Sequence, residues 1–376
     1  MTRKVKVALS GLGSVSQRGI LPHLAQPDAL ERMELVACCD VVAERASATA
    51  AKFGWREWYA DYGEMIAKAD VEAVVLAGPI PVHYSQAKAA LQAGKHVYSQ
   101  KTMTTTLAEA DEVVKLARAR KLKLVASPGQ MLNPTLQRLK GLLAEGAIGK
   151  VYWAFSSNAD YGHEDEDVRQ GSGPLDSIDP TWYYKQGGGP VYDMTVYSLH
   201  ALTGILGPAK KVTALSNVGL TERRWRDKTI AVEMDDNTLM LLEFGDGILA
   251  IAGGHNCQVS PGIGWGRFVF NGTAGTIDMT RGVIEITSES GLASVMGFSG
   301  GVYSAPARRR LPHVVGAHAS IQEPHVYADI AHLVDCIVED REPVPSGEHA
   351  RHVIEIIENA YISARTGQAQ AVTTTF

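Results

Sequence analysis

The segment Val5-Lys-Val-Ala-Leu-Ser-Gly11-Leu-Gly13-Ser14-Val15-Ser16 restricts the fold more than any other part of the chain. An apolar, strand-like run leads straight into Gly-x-Gly-x-x-Ser, and a helical window follows. In that order the first glycine permits a tight turn and the second lets backbone approach a pyrophosphate. The start of the helix then offers unsatisfied N–H groups to the anion. Gly11, Gly13, Ser14, Val15 and Ser16 are therefore candidate cofactor contacts, with Ser16 where a third small residue is usual. A second strand-like run, 34–39, ends on Asp40, a carboxylate suited to adenosine ribose hydroxyls and hostile to a 2′-phosphate. The nearest cation in sequence, Arg45, lies further on in a helix-like stretch. NAD is the expected cofactor and NADP the less favoured one. Alone, Gly-x-Gly is equally a structural turn; strand, turn, helix, second strand and terminal acid in sequence order carry the assignment.

At 376 residues the chain exceeds the size at which one core usually stops growing. Strand-like runs at 5–9, 34–39, 73–77, 96–99 and 123–127 alternate with helical windows, the clearest at 107–120. That alternation predicts a parallel α/β sheet, a Rossmann dinucleotide-binding domain over 1–128. From about residue 149 short alternating runs at 151–157, 238–244, 248–252 and 267–271 suggest antiparallel strands, with Gly-Asp-Gly and Asn-Gly turns between them. Helices are expected again at 326–338 and 349–364. Residues 129–376 thus read as an α+β domain for substrate binding and oligomerisation. Within it, residues 159–189 are polar, Gly-rich and aromatic, the composition of a long binding loop.

The 36 basic and 41 acidic residues leave a charge of -5 and no long run of either sign, which argues against nucleic acid or anionic lipid as a partner. Residues 1–9 carry two lysines and an arginine before an apolar run too short for a secretory leader, and no stretch approaches the ~20 apolar residues that cross a bilayer. A cytoplasmic protein is expected. Cys38, Cys39, Cys257 and Cys336 show neither a disulfide framework nor zinc spacing. Glu164-Asp-Glu-Asp167 reads as a solvated acidic stretch, and no metal is expected.

Residues 90–101, Ala-Leu-Gln-Ala-Gly-Lys-His-Val-Tyr-Ser-Gln-Lys, and residues 187–193, Gly-Gly-Gly-Pro-Val-Tyr-Asp, resemble two motif segments of one oxidoreductase family. It is the glucose-fructose oxidoreductase, inositol dehydrogenase and rhizopine-catabolism (Gfo/Idh/MocA) family. Residues 271–277, Asn-Gly-Thr-Ala-Gly-Thr-Ile, and 363–367, Ser-Ala-Arg-Thr-Gly, also fit, so the resemblance spans nearly the whole chain. It implies an open, mainly antiparallel second sheet packed by helices, a substrate cleft over the nicotinamide, and homodimers or homotetramers built on that sheet. It implies Pro79 and His83 as cofactor contacts, although Ile80 stands where asparagine is common. Gln100-Lys101-Thr102 departs from the usual Glu-Lys-Pro. The lysine is kept, Gln100 takes the place of a cofactor-contacting glutamate, and Thr102 lacks the tertiary amide that makes a cis bond inexpensive. The family's backbone geometry at Lys101 is accordingly not assumed.

Oxidising a secondary alcohol requires a hydride to leave carbon while a base takes the hydroxyl proton. Asp193, Tyr197 and His200, at i, i+4 and i+7, would share one face of a helix, with Lys101 arriving from the nucleotide domain. The resemblance adds that some family members carry tyrosine where Tyr197 stands. Tyr197 is the expected proton carrier, its phenol lowered from about 10 by the Lys101 ammonium. Lys101 would orient the hydroxyl, Asp193 would hold Lys101 or substrate, and His200 would bind substrate or relay the proton. The competing assignments are ordinary helix residues for Tyr197 and His200, and surface or capping roles for Asp193 and Lys101. Tyr161, His163, Trp182 and Tyr183 are candidates for stacking on a sugar ring and reading its hydroxyls, or else aromatics docked on the sheet. His325 is a substrate contact by resemblance or a helix cap.

Three functions follow. The first is an NAD-dependent dehydrogenase or reductase acting on the CH–OH group of a sugar, sugar acid, polyol or cyclic alcohol. The second is an oxidoreductive glycosidase that oxidises, eliminates, hydrates and reduces while recycling NAD. The third is a non-catalytic sensor of nucleotide or sugar, against which the Lys101, Asp193 and Tyr197 set argues. Net cofactor turnover separates the first two.

Overall fold

The computed structural model describes residues 3–256, 265–280, 283–288, 302–306 and 310–376. Six strands, β1 (Val5–Ser10), β2 (Met33–Cys39), β3 (Glu57–Tyr59), β4 (Ala73–Leu76), β5 (His96–Ser99) and β6 (Leu124–Ala126), form a parallel sheet ordered β3-β2-β1-β4-β5-β6. β1 is apolar except for Lys6 and Ser10 because both faces are covered: Val5, Val7 and Leu9 pack with residues of helix Pro324–Val338, while Ala8 packs towards residues of helix His83–Gln92. Helix Leu107–Arg120 begins where expected because Thr106 and Glu109 form a capping box.

Strand order reverses between β1 and β4, so their carboxyl ends open a crevice. The chain leaves β1 through Gly11 and β4 near Gly78. Gly11 has φ +87°, and a Cβ there would lie 2.3 Å from Gly78 N, so only glycine lets the two turns meet. The Ser16 hydroxyl donates to the Gly11 carbonyl at 2.6 Å and fixes the turn.

The second sheet contains β7 (Val151–Ala159), β8 (Lys211–Asn217), β11 (Asn237–Glu243), β12 (Leu249–His255), β13 (Arg267–Gly272), β14 (Gly275–Asp278), β15 (Val283–Ser288), β16 (Val302–Pro306) and β17 (Gln370–Ala371). A separate hairpin joins β9 (Glu222–Trp225) to β10 (Lys228–Ala231). The nine strands run β16-β15-β14-β13-β7-β12-β11-β8-β17, antiparallel except for the parallel pair β7 and β12. Along β11 burial alternates. Met240 and Leu242 enter the core with Leu199 of helix Val196–Leu206 and Ile356 of helix Gly347–Thr366, while Leu239 and Leu241 face outward.

Among the described residues no helix is long and apolar enough to cross a membrane. Cys38, Cys39 and Cys336 are buried and unpaired. Burial pushes the first two thiols up to about 12 and the third up to about 11, which leaves them unreactive. Cys257 lies outside the described residues.

Candidate active site

The crevice beyond β1 and β4 is a cleft of about 1050 Å³. Gly11, Gly13, Ser14, Val15, Asp40, Pro79, Gln100 and Lys101 line it. Two expected contacts do not. Ser16 is buried beneath the turn it closes. His83 is buried with its ring nitrogens each 2.9 Å from a carbonyl oxygen, of Gly78 and of Thr102. It ties the turn after β4 to the backbone beneath Lys101, because two carbonyls at that spacing leave neither nitrogen free for a cofactor.

Asp40 accepts the N–H groups of Leu12 and Val42, both at 2.9 Å, so it also braces the glycine turn. Arg45, which the sequence sets further along a helix, folds back to pair with Asp40 at 3.0 Å and donates to the Pro174 carbonyl at 2.9 Å. A carboxylate has about four acceptor positions, so Asp40 keeps capacity for ribose hydroxyls. Open cleft, glycine turn and terminal acid together suit NAD.

Lys101 is presented by the segment after β5. Gln100 braces it, its Oε1 accepting from Lys101 N at 3.0 Å and its Nε2 donating to the Tyr98 hydroxyl at 3.2 Å. The Lys101–Thr102 peptide is cis although threonine replaces proline, and Thr102 Oγ1 donates to the Tyr192 carbonyl at 2.6 Å. Lys101 Nζ lies 3.4 Å from Asp193 Oδ1 and 5.4 Å from the centre of the Tyr197 ring. Burial opposes the ammonium, but Asp193 outweighs it and holds Lys101 above its ordinary value. Burial likewise opposes the Asp193 carboxylate, and Lys101 with His163 overrules it, keeping Asp193 well below the usual range.

His163 bridges two carboxylates, with Nε2 at 3.1 Å from Asp193 Oδ2 and Nδ1 at 2.6 Å from Glu166 Oε1. Burial opposes its charge, but the two acids carry its pKa up to about 9, so both nitrogens donate. Glu166 also accepts from Ser14 Oγ (2.7 Å), Arg169 Nε (2.8 Å) and Arg18 Nη1 (3.1 Å). Arg18 continues to Glu323 at 2.7 Å, and Gly19 makes that approach possible, since a Cβ there would lie 2.6 Å from Glu323 Cβ. Next along the chain His325 Nε2 meets the Tyr197 hydroxyl at 2.8 Å.

Three expectations are corrected here. The Tyr197 phenol is held above its ordinary value, not below it, because burial outweighs the Lys101 ammonium. His200 stays out of the cluster: it is buried beside His349, with ring centres 4.6 Å apart, and burial lowers it well below 6.5. The one-face argument assumed α-helical spacing, whereas Val191–Thr195 is wound as a π-helical turn ahead of helix Val196–Leu206, which changes the register. The third is the acidic stretch expected to be solvated: Glu166 stands inside a charge cluster, and Glu164 is buried, accepting from Arg223 at 3.2 Å and from the Tyr184 hydroxyl.

Of the loop candidates, His163 and Trp182 line the cleft. Tyr183 is fully buried and packs edge-on against His163 at 4.2 Å, and Tyr161 is 48% exposed outside the cleft lining. Arg18, Glu166, Arg169 and Glu323 join the site without being expected there from the sequence, as does Trp265, whose ring meets Tyr197 edge-on at 5.1 Å. Of these, only Arg18 had a sequence signal, its place in the helix after the glycine turn.

Residues 5–127 match the NAD-binding Rossmann fold of the GFO/IDH/MocA oxidoreductases, and residues 136–278 match their C-terminal domain. The 4-carboxy-2-hydroxymuconate-6-semialdehyde dehydrogenase of Sphingobium sp. is 29% identical over 144 residues, 38% of this chain and 44% of that protein. This chain therefore spans under half the length of that relative. D-apiose dehydrogenase of Paraburkholderia graminis is 24% identical over 370 residues, 97% of this chain and 89% of that one. A solved levoglucosan dehydrogenase in complex with NADH and L-sorbose shares the fold, with a TM-score of 0.81 at 19% identity over 100% of both chains. With both halves matched, and the β1/β4 cleft and the Lys101–Asp193 pair lying within the matched residues, the chain belongs to the Gfo/Idh/MocA family of NAD-binding oxidoreductases.

Proposed function

We propose that the protein is an NAD-dependent dehydrogenase or reductase that moves a hydride between nicotinamide and the secondary hydroxyl of a sugar, sugar acid, polyol or related cyclic alcohol. The observation that carries this is Lys101 Nζ, held between the Asp193 carboxylate and the Tyr197 ring at the edge of the cofactor cleft. The relatives named for D-apiose and levoglucosan support the substrate class. Bound here, NAD would supply the hydride acceptor.

The chain's own groups would do the rest. The Lys101 ammonium orients the reacting oxygen and stabilises charge developing on it. Tyr197 takes the hydroxyl proton while passing its own to His325 Nε2. Burial lowers His325 to about 4, so it is neutral near pH 7 and able to accept. Asp193 and His163 hold Lys101 in place, and Trp182 offers a flat apolar face at the cleft. In this reading residues 1–128 carry the cofactor and residues 129–376 the substrate. It suits a cytoplasmic setting, where the buried thiols stay reduced.

A proton NMR time course with stoichiometric NAD and a panel of sugars, polyols, sugar acids and glycosides tests this. Ketone or lactone formed in step with NADH is expected. Glycoside cleavage with NAD unchanged would transfer the assignment to an oxidoreductive glycosidase, and no turnover of any substrate would favour a sensor.

Asp40→Ala is expected to weaken NAD binding by roughly tenfold, the scale of a lost charge-assisted hydrogen bond, and to release Arg45 towards a 2′-phosphate, so that NADP binding improves. Titration of both nucleotides checks this, and unaltered NAD affinity would count against the ribose role.

A homodimer or homotetramer would cover the outer face of the second sheet. There Leu215 pairs across strands with Leu239, with Leu241 and Leu249 beside them, and all four are more than half exposed. An apolar patch of that kind marks an interface. The Leu239→Asp/Leu241→Asp double variant is expected to reduce the mass found by light scattering to that of one chain.

A further inference from the structure

The four donors that converge on Glu166 form a complete carboxylate-binding site filled from within. Ser14 Oγ, His163 Nδ1, Arg169 Nε and Arg18 Nη1 all lie within 3.1 Å of its two oxygens. The same pattern holds for every cation in the described part of the cleft. Arg18 is shared between Glu166 and Glu323, Arg169 faces Glu166, Lys101 and His163 flank Asp193, and Arg45 faces Asp40. A substrate carboxylate entering here would find each guanidinium already paired. It would also meet the negative charge of Glu166 one imidazole away from Asp193. A neutral hydroxyl meets neither penalty, since Asp193, held among the described residues by Lys101 and His163 alone, keeps acceptor positions free and Trp182 lines the cleft as a face for a ring.

We propose that Glu166 is a specificity-determining residue which makes the cleft select uncharged polyhydroxylated substrates over sugar acids. This rests on the dehydrogenase assignment and narrows it. The discrimination is a difference of affinities set by a repulsive element: the built-in carboxylate excludes the competing one. Removing its charge while keeping its shape would leave Arg169 and Arg18 able to receive a substrate carboxylate in a bidentate manner.

The test compares matched neutral and acidic substrates, such as an aldose with its uronate and a polyol with its aldonate. NADH formation is followed in the wild-type protein and in Glu166→Gln, which retains one acceptor oxygen for Ser14 and the arginines. In the wild type kcat/KM for the neutral partner is expected to exceed that for the acid by on the order of tenfold or more. In Glu166→Gln that ratio is expected to fall by about the same factor. A wild-type preference for acids, or an unmoved ratio in the folded variant, overturns the proposal.

Calorimetric binding of polyol and aldonate to NAD-loaded wild type makes the comparison without any variant. Tighter polyol binding supports the proposal, and equal or tighter aldonate binding overturns it. Turnover of acids and neutral sugars at equal rates would remove this inference and leave the dehydrogenase standing. Absence of turnover with every substrate would remove the dehydrogenase, while the binding comparison would still decide the preference.

Discussion

Lys101→Met is expected to lower kcat by roughly 10²–10³-fold, the scale of losing one preorganised charge stabiliser, while the Kd for NAD changes by less than about tenfold. Methionine keeps the apolar stem and removes the ammonium that lies 3.4 Å from Asp193. The usual objection to such a variant is that it strands a buried carboxylate. Here Asp193 retains His163, whose Nε2 stays 3.1 Å from Oδ2, so the carboxylate remains paired and the fold is expected to persist. The loss in kcat then reports on chemistry. Steady-state kinetics with the best substrate, alongside NAD titration, measures both terms. A kcat within about threefold of wild type would remove Lys101 from the reacting centre.

The nucleotide half was legible because its signals are local. A buried parallel strand reads as a near-continuous apolar run, and a turn at which a Cβ would lie 2.3 Å from another backbone must be glycine, so β1, β2, β4, β5 and the glycine turn announce themselves in short windows. β3 and β17, three and two residues long, are too short to show a period. β8 alternates, but weakly enough in its polar half to escape notice.

The site was legible only in part, for a related reason. Lys101, Asp193 and Tyr197 sit in motif segments, whereas Arg18 finds its partners 148 residues away at Glu166 and at Glu323, beyond the reach of spacing arguments. Glu164 and Glu166 read as solvated because they stand in a run of four acids, of which only Asp165 and Asp167 are exposed. Burial by a folded loop, not local composition, decides that. His200 failed in the opposite direction: its i+7 spacing from Asp193 was suggestive, but a π-helical turn at Asp193 alters that relation, and one α-helical turn beyond Tyr197 its ring packs beside His349.

Tyr197→Phe is expected to reduce turnover by about 10²–10⁴-fold, the range for a positioned acid–base group, and to leave the ring's packing against Trp265 and His325 in place. What goes is the hydroxyl that joins substrate to His325 Nε2. The wild-type pH profile supplies a second readout. His325 must be neutral to accept, and burial sets its pKa at about 4, so oxidation is expected to fail as pH drops through that value.

On the alkaline side His163 holds a proton between Glu166 and Asp193, with its pKa raised from 6.5 to about 9. The folded value is the higher one, so the stability this proton contributes is whole below pH 6.5 and is lost as pH climbs through about 9. Activity and Tm are therefore expected to decline together over that window, and His163→Gln is expected to flatten the Tm decline. An alkaline limb that survives unchanged in His163→Gln would assign it to another group, and a Tyr197→Phe enzyme turning over within about tenfold of wild type would take the proton path elsewhere.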